Sequence, residues 1–377
     1  MNNPGRGRNI GSSKKKVLLL NSAQGKYPRG ADSWVQATVR ALESLKGKAL
    51  RLTASVGLHN WALTAYLGGR LGLDLDLIVP FGQDSRGREC FARTLSALAL
   101  ERRKTRPVFT GCTDGRDFYG VRDRLALETA EVVYPVSLRP GGRLEKLLGE
   151  LAQGKKEIRE EFRVKWSGRP WTPRYCLPLD RLNPALERLG RGLLIHWTHS
   201  WPGPWPGEEP WEFYREMLAG GEDYVRDARA TLLEIIAGGR LRGSSWKMPA
   251  GEPAVSFTAL SPAEAVGLMR WRRRYTRYTF EPYGLAFSRE SLERLGAAAV
   301  RYLGPGERAG PGEDRLFTQS TGRKGNWEAE KEWRFRGDLD LGGFKPGELV
   351  LIVPDEEQAG RFRTGTGFPG EVVPLFL

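Results

Sequence analysis

The strongest constraint on the fold is the rhythm of residues 16–155, where short apolar runs alternate with stretches of helical period. "KVLLLNS" (16–22) has the length of a buried strand, and "DSWVQATVRALESL" (32–45) follows it. In the latter, Asp32 is placed as an N-cap, and Val35, Val39, Leu42 and Leu45 recur along one helical face. The alternation continues through "ALRLTAS", "HNWALTAYLGGRL", "LDLIVPF", "CFARTLSALALE", "RPVFTG", "DFYGVRDRLALETA", "EVVYPVSL" and "GRLEKLLGELAQ". Strands joined by single helices pair in parallel, so this part predicts an α/β, Rossmann-like doubly wound parallel sheet with helices on both faces. Ligands of such sheets bind beyond the carboxyl ends of the strands.

The rhythm fails across "KKEIREEFRVKWSGRPWTPRYCLPLDRLNP" (155–184), which is charged and then Pro-rich. Ten of the twelve tryptophans lie at or beyond Trp166. The expected division is a basic flexible tail over 1–15, a nucleotide-binding domain over 16–160, a linker over 161–189 and a second domain over 190–377. Short strands such as "LLIHWT", "AVSFTAL" and "YGLAFS", mixed with a few helices, predict an α+β second domain with mostly antiparallel pairing. No internal repeat is visible.

Composition narrows the setting. No window approaches the ~18 consecutive apolar residues of a membrane span, so no membrane partner is expected. Cys90, Cys112 and Cys176 are odd in number, widely spaced and without a CxxC, which argues against a disulfide framework or structural zinc. A reducing cytoplasm is the expected location. The formal charge is +14. Seven Lys or Arg and no acid fall within the first 30 residues, and five arginines within "RWRRRYTRY" (270–278). Either the excess serves phosphate-bearing partners, nucleic acid or nucleotide, or it follows from a Gly- and Arg-rich composition.

Three loops follow strands and open helices in the first part: "NSAQGKYPRGADSW", "SVGLHNW" and "RPGGRLEKLL". Small residues at such turns let backbone amides approach an anion at a helix N-terminus, and they also serve simple tight turns. "LTASVGLHNWALTAYL" resembles the "SGxAxGID…A" turn of the DNA-processing protein A family. "DFYGVRDRLALETAEVVYPVS" is similar to that family's "FPxRNRIIAGLS…VVxA" segment, with Arg122, Asp123 and Arg124 on its RNR. "RPGGRLEKLL" is similar to the "PGGxGTxxE" loop of the LOG phosphoribohydrolases, with Gly141, Gly142 and Glu145 matching but the Gly-Thr pair absent. Both families belong to the SLOG group of Rossmann-like domains. The resemblance covers about 17–155 and implies a sensor of a nucleotide-like ligand. Its phosphate and nucleotide contacts would come from Ser22, Lys26, Ser55, Gly57, Arg122, Gly141, Gly142 and Glu145.

Two of the three histidines lie in "RGLLIHWTHS" (191–200). Strand geometry puts His196 and Thr198 on one face, with Trp197 and His199 on the other. They make a poor metal pair, and no nearby Cys or His completes one; no metal is expected, and His199 reads as a loop residue. "PGPWPGEEPWEFY" (202–214) reads either as a lid or as a Trp-Pro plug covering the sheet. "AVSFTAL" places Ser256 and Thr258 on one strand face. "WEAEKEWRFRGDLDL" places Glu330 and Glu332 together, where they repel unless a cation such as Arg334 intervenes. A solvated edge strand with a salt bridge is the plain alternative.

In order and strand context these stretches resemble the ADP-ribosyltransferase fold in its His–aromatic–Glu form, over roughly 190–355. The resemblance implies NAD as substrate. His196 and Thr198 would orient its ribose, with Ser256, Thr258 and Arg334 also in the site. Glu332 would be the catalytic carboxylate and Glu330 an auxiliary one, while Tyr275, Tyr278 and Tyr283 all stand as candidates for the aromatic role. Cleaving the nicotinamide–ribose bond builds positive charge on the sugar, which a fixed carboxylate stabilises. No GxSxG is present and the cysteines have no local His partner, so hydrolase triads are not expected. The leading expectation is a nucleotide-sensing protein with NAD-dependent ADP-ribosyl transfer or NAD glycohydrolysis, in bacterial stress or phage defence. Its target macromolecule is unspecified, and a homo-oligomer is compatible with the sequence. The alternatives are a non-catalytic nucleic-acid binder and a nucleoside monophosphate phosphoribohydrolase.

Overall fold

A computed structural model of the chain describes residues 14–377 apart from 113–114, 152–155, 169, 191, 246–247, 249–250, 305, 311–313, 322–327 and 346. The expected N-terminal tail therefore falls almost wholly outside the described residues. Two compact units are present: Met1–Trp171 with Glu208–Val225, and Thr172–Gly207 with Arg226–Leu377.

In the first unit, β1 (Lys15–Asn21), β2 (Leu50–Ser55), β3 (Asp74–Val79), β4 (Thr105–Phe109), β5 (Val132–Ser137) and β6 (Glu157–Ile158) form one sheet. Its order is β4-β3-β2-β1-β5-β6 and every pairing is parallel. The helices between them are α1 (Ser33–Glu43), α2 (His59–Arg70), α3 (Ser85–Ala97), α4 (Gly115–Thr129) and α5 (Arg143–Leu151). α1 packs on α2 and α4 on α5. Right-handed crossovers place the two pairs on opposite faces. That is why Val17 to Leu20 of β1 are all buried rather than alternating. Asp32 does sit at the N-cap of α1, but its carboxylate accepts from the Arg29 backbone and guanidinium instead of capping the helix.

α6 (Pro210–Ala219) also belongs to this unit, with Tyr214 Oη 3.2 Å from His59 Nδ1 and Phe213 against the same imidazole. The stretch 202–214 is thus split, since only its part up to Gly207 groups with the second unit. The second unit is not the unbroken 190–377 segment that the sequence suggests.

The second unit is built on a seven-stranded mixed sheet ordered β13-β16-β9-β7-β12-β18-β19. These strands are β7 (Leu193–Trp197), β9 (Ala254–Thr258), β12 (Gly284–Ser288), β13 (Ala298–Ala299), β16 (Glu332–Arg336), β18 (Leu349–Val353) and β19 (Glu371–Pro374). All neighbours are antiparallel except β18 and β19. Two-stranded pieces flank it: β8 (Arg240–Leu241) with β17 (Leu339–Asp340), β10 (Trp271–Arg272) with β11 (Arg277–Tyr278), and β14 (Arg301–Leu303) with β15 (Thr318–Ser320). Its helices are α7 (Ala228–Ala237), α8 (Pro262–Val266), α9 (Arg289–Arg294) and α10 (Glu356–Gly365).

Strand alternation divides the apolar side chains between two cores. Leu194, Phe257, Leu285 and Leu351 face one, with Leu232 of α7 and Phe362 of α10. Ile195, Trp197, Ala286 and Ile352 face the other, with Ala265 and Val266 of α8. No helix among the described residues is long and apolar enough to cross a membrane.

Candidate functional site

In the first unit the expected phosphate contacts are engaged within the protein. Arg122 is 1% exposed. Its Nε donates to Asp123 Oδ1 at 2.9 Å and its Nη1 to the Val56 carbonyl at 3.0 Å. The guanidinium is stacked among Trp61, Phe118 and Tyr119. Burial lowers its pKa, against the pull of Asp123. Arg122 is therefore a brace between α4 and the turn after β2, which corrects its expected role. Fully buried Ser55 donates from Oγ to the Ile78 carbonyl at 2.7 Å, and Ser22 Oγ accepts the Arg139 amide at 2.9 Å.

Gly57 has a φ of 93°, and a Cβ there would lie 2.9 Å from the Tyr119 ring. The Gly141 amide donates to Glu145 Oε2 at 2.7 Å, and the Gly142 amide to the Arg139 carbonyl. Glu145 thus places its own carboxylate where an anion was expected. Lys26 is half-buried beside the Tyr27 ring.

The second unit contains a cavity of about 450 Å³, within the roughly 300–1,000 Å³ of small-molecule sites. Its origin is local. β7 pairs with β12 over five residues but with β9 only through Ile195 and Thr258. Beyond that pair the two strands part, and residues 195–199 and 254–258 line the resulting space. The His196 ring enters the gap and its Nδ1–H donates to the Ser256 carbonyl at 2.9 Å, satisfying a group that the ladder has left. This fixes the proton on Nδ1 and leaves Nε2 as an acceptor. Burial pushes the His196 pKa down to about 4, with the Ser256 carbonyl opposing and the charge of His199 assisting. His196 is a neutral imidazole.

Glu332 lies in the same lining. Its Oε1 accepts from Ser256 Oγ and from Arg334 Nε, both at 2.9 Å, and its Oε2 accepts from Arg334 Nη2 at 2.9 Å. Arg334, 2% exposed, is held in turn by the Leu316 carbonyl and Gln319 Oε1. Arg334 is thus a bidentate clamp on Glu332 alone, and the cations that act on Glu330 are Arg272 and Arg277.

Glu330 is not on the strand with Glu332. It ends a 3₁₀ turn, Glu328–Glu330, and Lys331 between them has a φ of 43°. The break still leaves both glutamates in the cavity lining. Burial and the charge of Glu332 raise the Glu330 pKa to about 7, against the pull of Arg272 and Arg277.

Thr198 and Thr258 are in the lining as expected, but their hydroxyls are engaged by backbone carbonyls. The Thr198 hydroxyl contacts the Ala228 and Tyr283 carbonyls at 3.0 Å, and the Thr258 hydroxyl donates to the Glu330 carbonyl. Both are buried and tie strands to neighbouring segments. None of the three candidate tyrosines is in the lining. Tyr275 is in the turn between β10 and β11, Tyr278 packs on Trp271 and Tyr175, and Tyr283 is in the core. The aromatic walls come instead from Trp201, Trp205, Phe257 and Phe280.

Sequence reasoning missed the group beside this wall. Glu281, wholly buried, accepts from Ser200 N, Ser200 Oγ and Tyr175 Oη. Its signal is a lone carboxylate inside "TFEPYGLAF", a run otherwise fit for a core. His199, read as a loop residue, lines the cavity with Nδ1 3.8 Å from Glu281 Oε1. No protein-family model matches the chain, and no curated protein matches it.

Proposed function

We propose that the second unit binds NAD in this cavity and breaks its nicotinamide–ribose bond, passing ADP-ribose to a target group or to water. The observation that carries the reading is the convergence of His196, clamped Glu332 and Glu330 on one cavity. As the C–N bond breaks, its electron pair leaves with nicotinamide and positive charge builds on the ribose. Glu332, fixed by Ser256 and Arg334, stabilises that charge without reorganising. His196 Nε2 accepts a ribose hydroxyl. Glu330, with a pKa near the working pH, takes the proton of the incoming O–H nucleophile. The first unit would sense a nucleotide-like ligand at the switch between β1 and β5. Such a pairing suits a bacterial stress or phage-defence protein.

The test is nicotinamide release from NAD by the full chain, across a panel of nucleotides and nucleic acids. No release under any condition, with NAD binding no tighter than in His196→Ala, overturns the reading. A second reading, nucleic-acid binding without catalysis, has the β10–β11 hairpin in its favour, since Arg273 and Arg274 are exposed on its turn. It requires steeply salt-dependent single-strand binding that is lost when the arginines of 270–277 are replaced by alanine.

A further inference from the structure

Past the end of β7 the chain runs through His199 and Ser200 against Glu281, which precedes β12. Glu281 has no exposed side-chain surface. Its Oε1 accepts the Ser200 amide at 2.8 Å, and its Oε2 accepts Ser200 Oγ at 2.7 Å and Tyr175 Oη at 2.5 Å. Three donors to one carboxylate favour its ionised form. Burial alone would raise the Glu281 pKa, but His199, Tyr175 and Ser200 hold it below the usual glutamate range. An ionised carboxylate removed from water calls for a cation, and His199 stands within ion-pair reach at 3.8 Å.

His199 also lines the cavity, and its charge helps to depress the pKa of His196. Beside it stand Glu281 and, through Glu281, Tyr175, and the lining it shares holds His196, Glu234, Arg277, Glu330, Glu332 and Arg334. Arg240 and Arg242 add further positive charge to the lining. Two imidazoles three residues apart thus stand in opposite settings: His196 is held by a backbone carbonyl, and His199 faces a buried carboxylate.

We propose that His199, paired with Glu281, is the anion-binding group of the cavity and receives the phosphate of a phosphorylated ribose whose hydroxyl is held by His196. The ribose part rests on the NAD reading of the site; the anion site does not.

The chain has three histidines, so imidazole ¹⁵N spectra of the full protein can be assigned with His59→Gln, His196→Gln and His199→Gln. At pH 7, His199 is expected doubly protonated and His196 neutral with its proton on Nδ1. Inorganic pyrophosphate and ADP-ribose should each shift the His199 resonance and leave His59 unmoved. His199→Gln should weaken both at least tenfold, as should Glu281→Gln, and the wild-type titration stands even where a variant fails to fold. A neutral His199 at pH 7, no pyrophosphate binding to the wild type, or binding unchanged within twofold in His199→Gln overturns the proposal. Pyrophosphate bound at His199 without NAD cleavage overturns the NAD reading alone. NAD cleavage with pyrophosphate binding indifferent to His199 overturns the anion site alone.

Discussion

Arg122 in the first unit and Glu332 in the second are both charged side chains gripped by an oppositely charged neighbour. Asp123 holds Arg122, and Trp61, Phe118 and Tyr119 close over it. Arg334 holds Glu332, and the pair opens on a cavity. The same contrast runs through the lesser residues. Ser22 and Ser55 tie their strand ends to neighbouring segments and Glu145 completes its own turn, whereas Ser256 completes a bond that aims a carboxylate. A polar residue at a strand end serves fold or ligand equally well by type. What separates the two is a void, and in the second unit the parting of β7 and β9 supplies it.

The sharpest way to break this contrast is to neutralise both pairs. Glu332→Gln should keep the Ser256 contact and lower nicotinamide release by about 10²–10³, the usual cost of losing one preorganised electrostatic group. Because the substitution also takes the carboxylate from buried Arg334, release is expressed per folded molecule. Steady-state release by the purified variant decides it, and full activity would remove Glu332 from the chemistry.

Arg122→Met should do the opposite. It leaves Asp123 buried with Arg143 as its remaining cation, and should cost the first unit about 3 kcal/mol, at the low end for breaking a buried pair. Denaturant unfolding measures that loss. Release per folded molecule should be unchanged, and an unaltered stability would show that Arg122 is not a brace.

The parallel sheet was legible because buried strands and amphipathic helices leave a periodic trace, and all five expected strands of the first unit are present. The cavity was legible only in outline. His196, Ser256, Glu330 and Glu332 carry chemistry in their residue types, but the kink at Lys331 that separates the glutamates is a backbone event with no pattern in sequence. The aromatic role was looked for among tyrosines, whereas Trp201 and Trp205 reach the lining through a Pro-rich turn that strand periodicity cannot place. Glu281 was hidden for the same reason that it is well held: the residues satisfying it lie 81 and 106 positions away.

The pH dependence of stability offers a subtler separation within the second unit. Folding raises the Glu330 pKa from 4.5 to about 7. Its contribution is therefore lost as pH rises through that window, because the folded form binds the proton more tightly. Folding lowers the His196 pKa from 6.5 to about 4, so its contribution is lost as pH falls through that window. The two slopes oppose each other and nearly cancel in the wild type. Thermal unfolding of Glu330→Gln from pH 4 to 7.5 should expose a loss of stability toward acid relative to the wild type. His196→Gln should expose a loss toward neutral pH. Parallel curves for all three proteins would mean that neither group is held in the proton state described.

The smallest effect tests whether the first unit is closed or merely self-occupied. Glu145 is part-exposed, and its carboxylate meets the Gly141 amide just before α5. Glu145→Ala removes this cap-like contact, and should cost about 0.5–1 kcal/mol by analogy with helix capping. It also uncovers an amide at a helix N-terminus, where an anion is favoured by geometry and dipole. If the polar groups of the first unit serve the fold alone, calorimetry with inorganic phosphate and with AMP should give the same result for the variant and the wild type. A new or tightened phosphate site in Glu145→Ala would mean that the carboxylate stands in for a ligand. The difference between the units would then be one of occupancy, with a place for an anion in both.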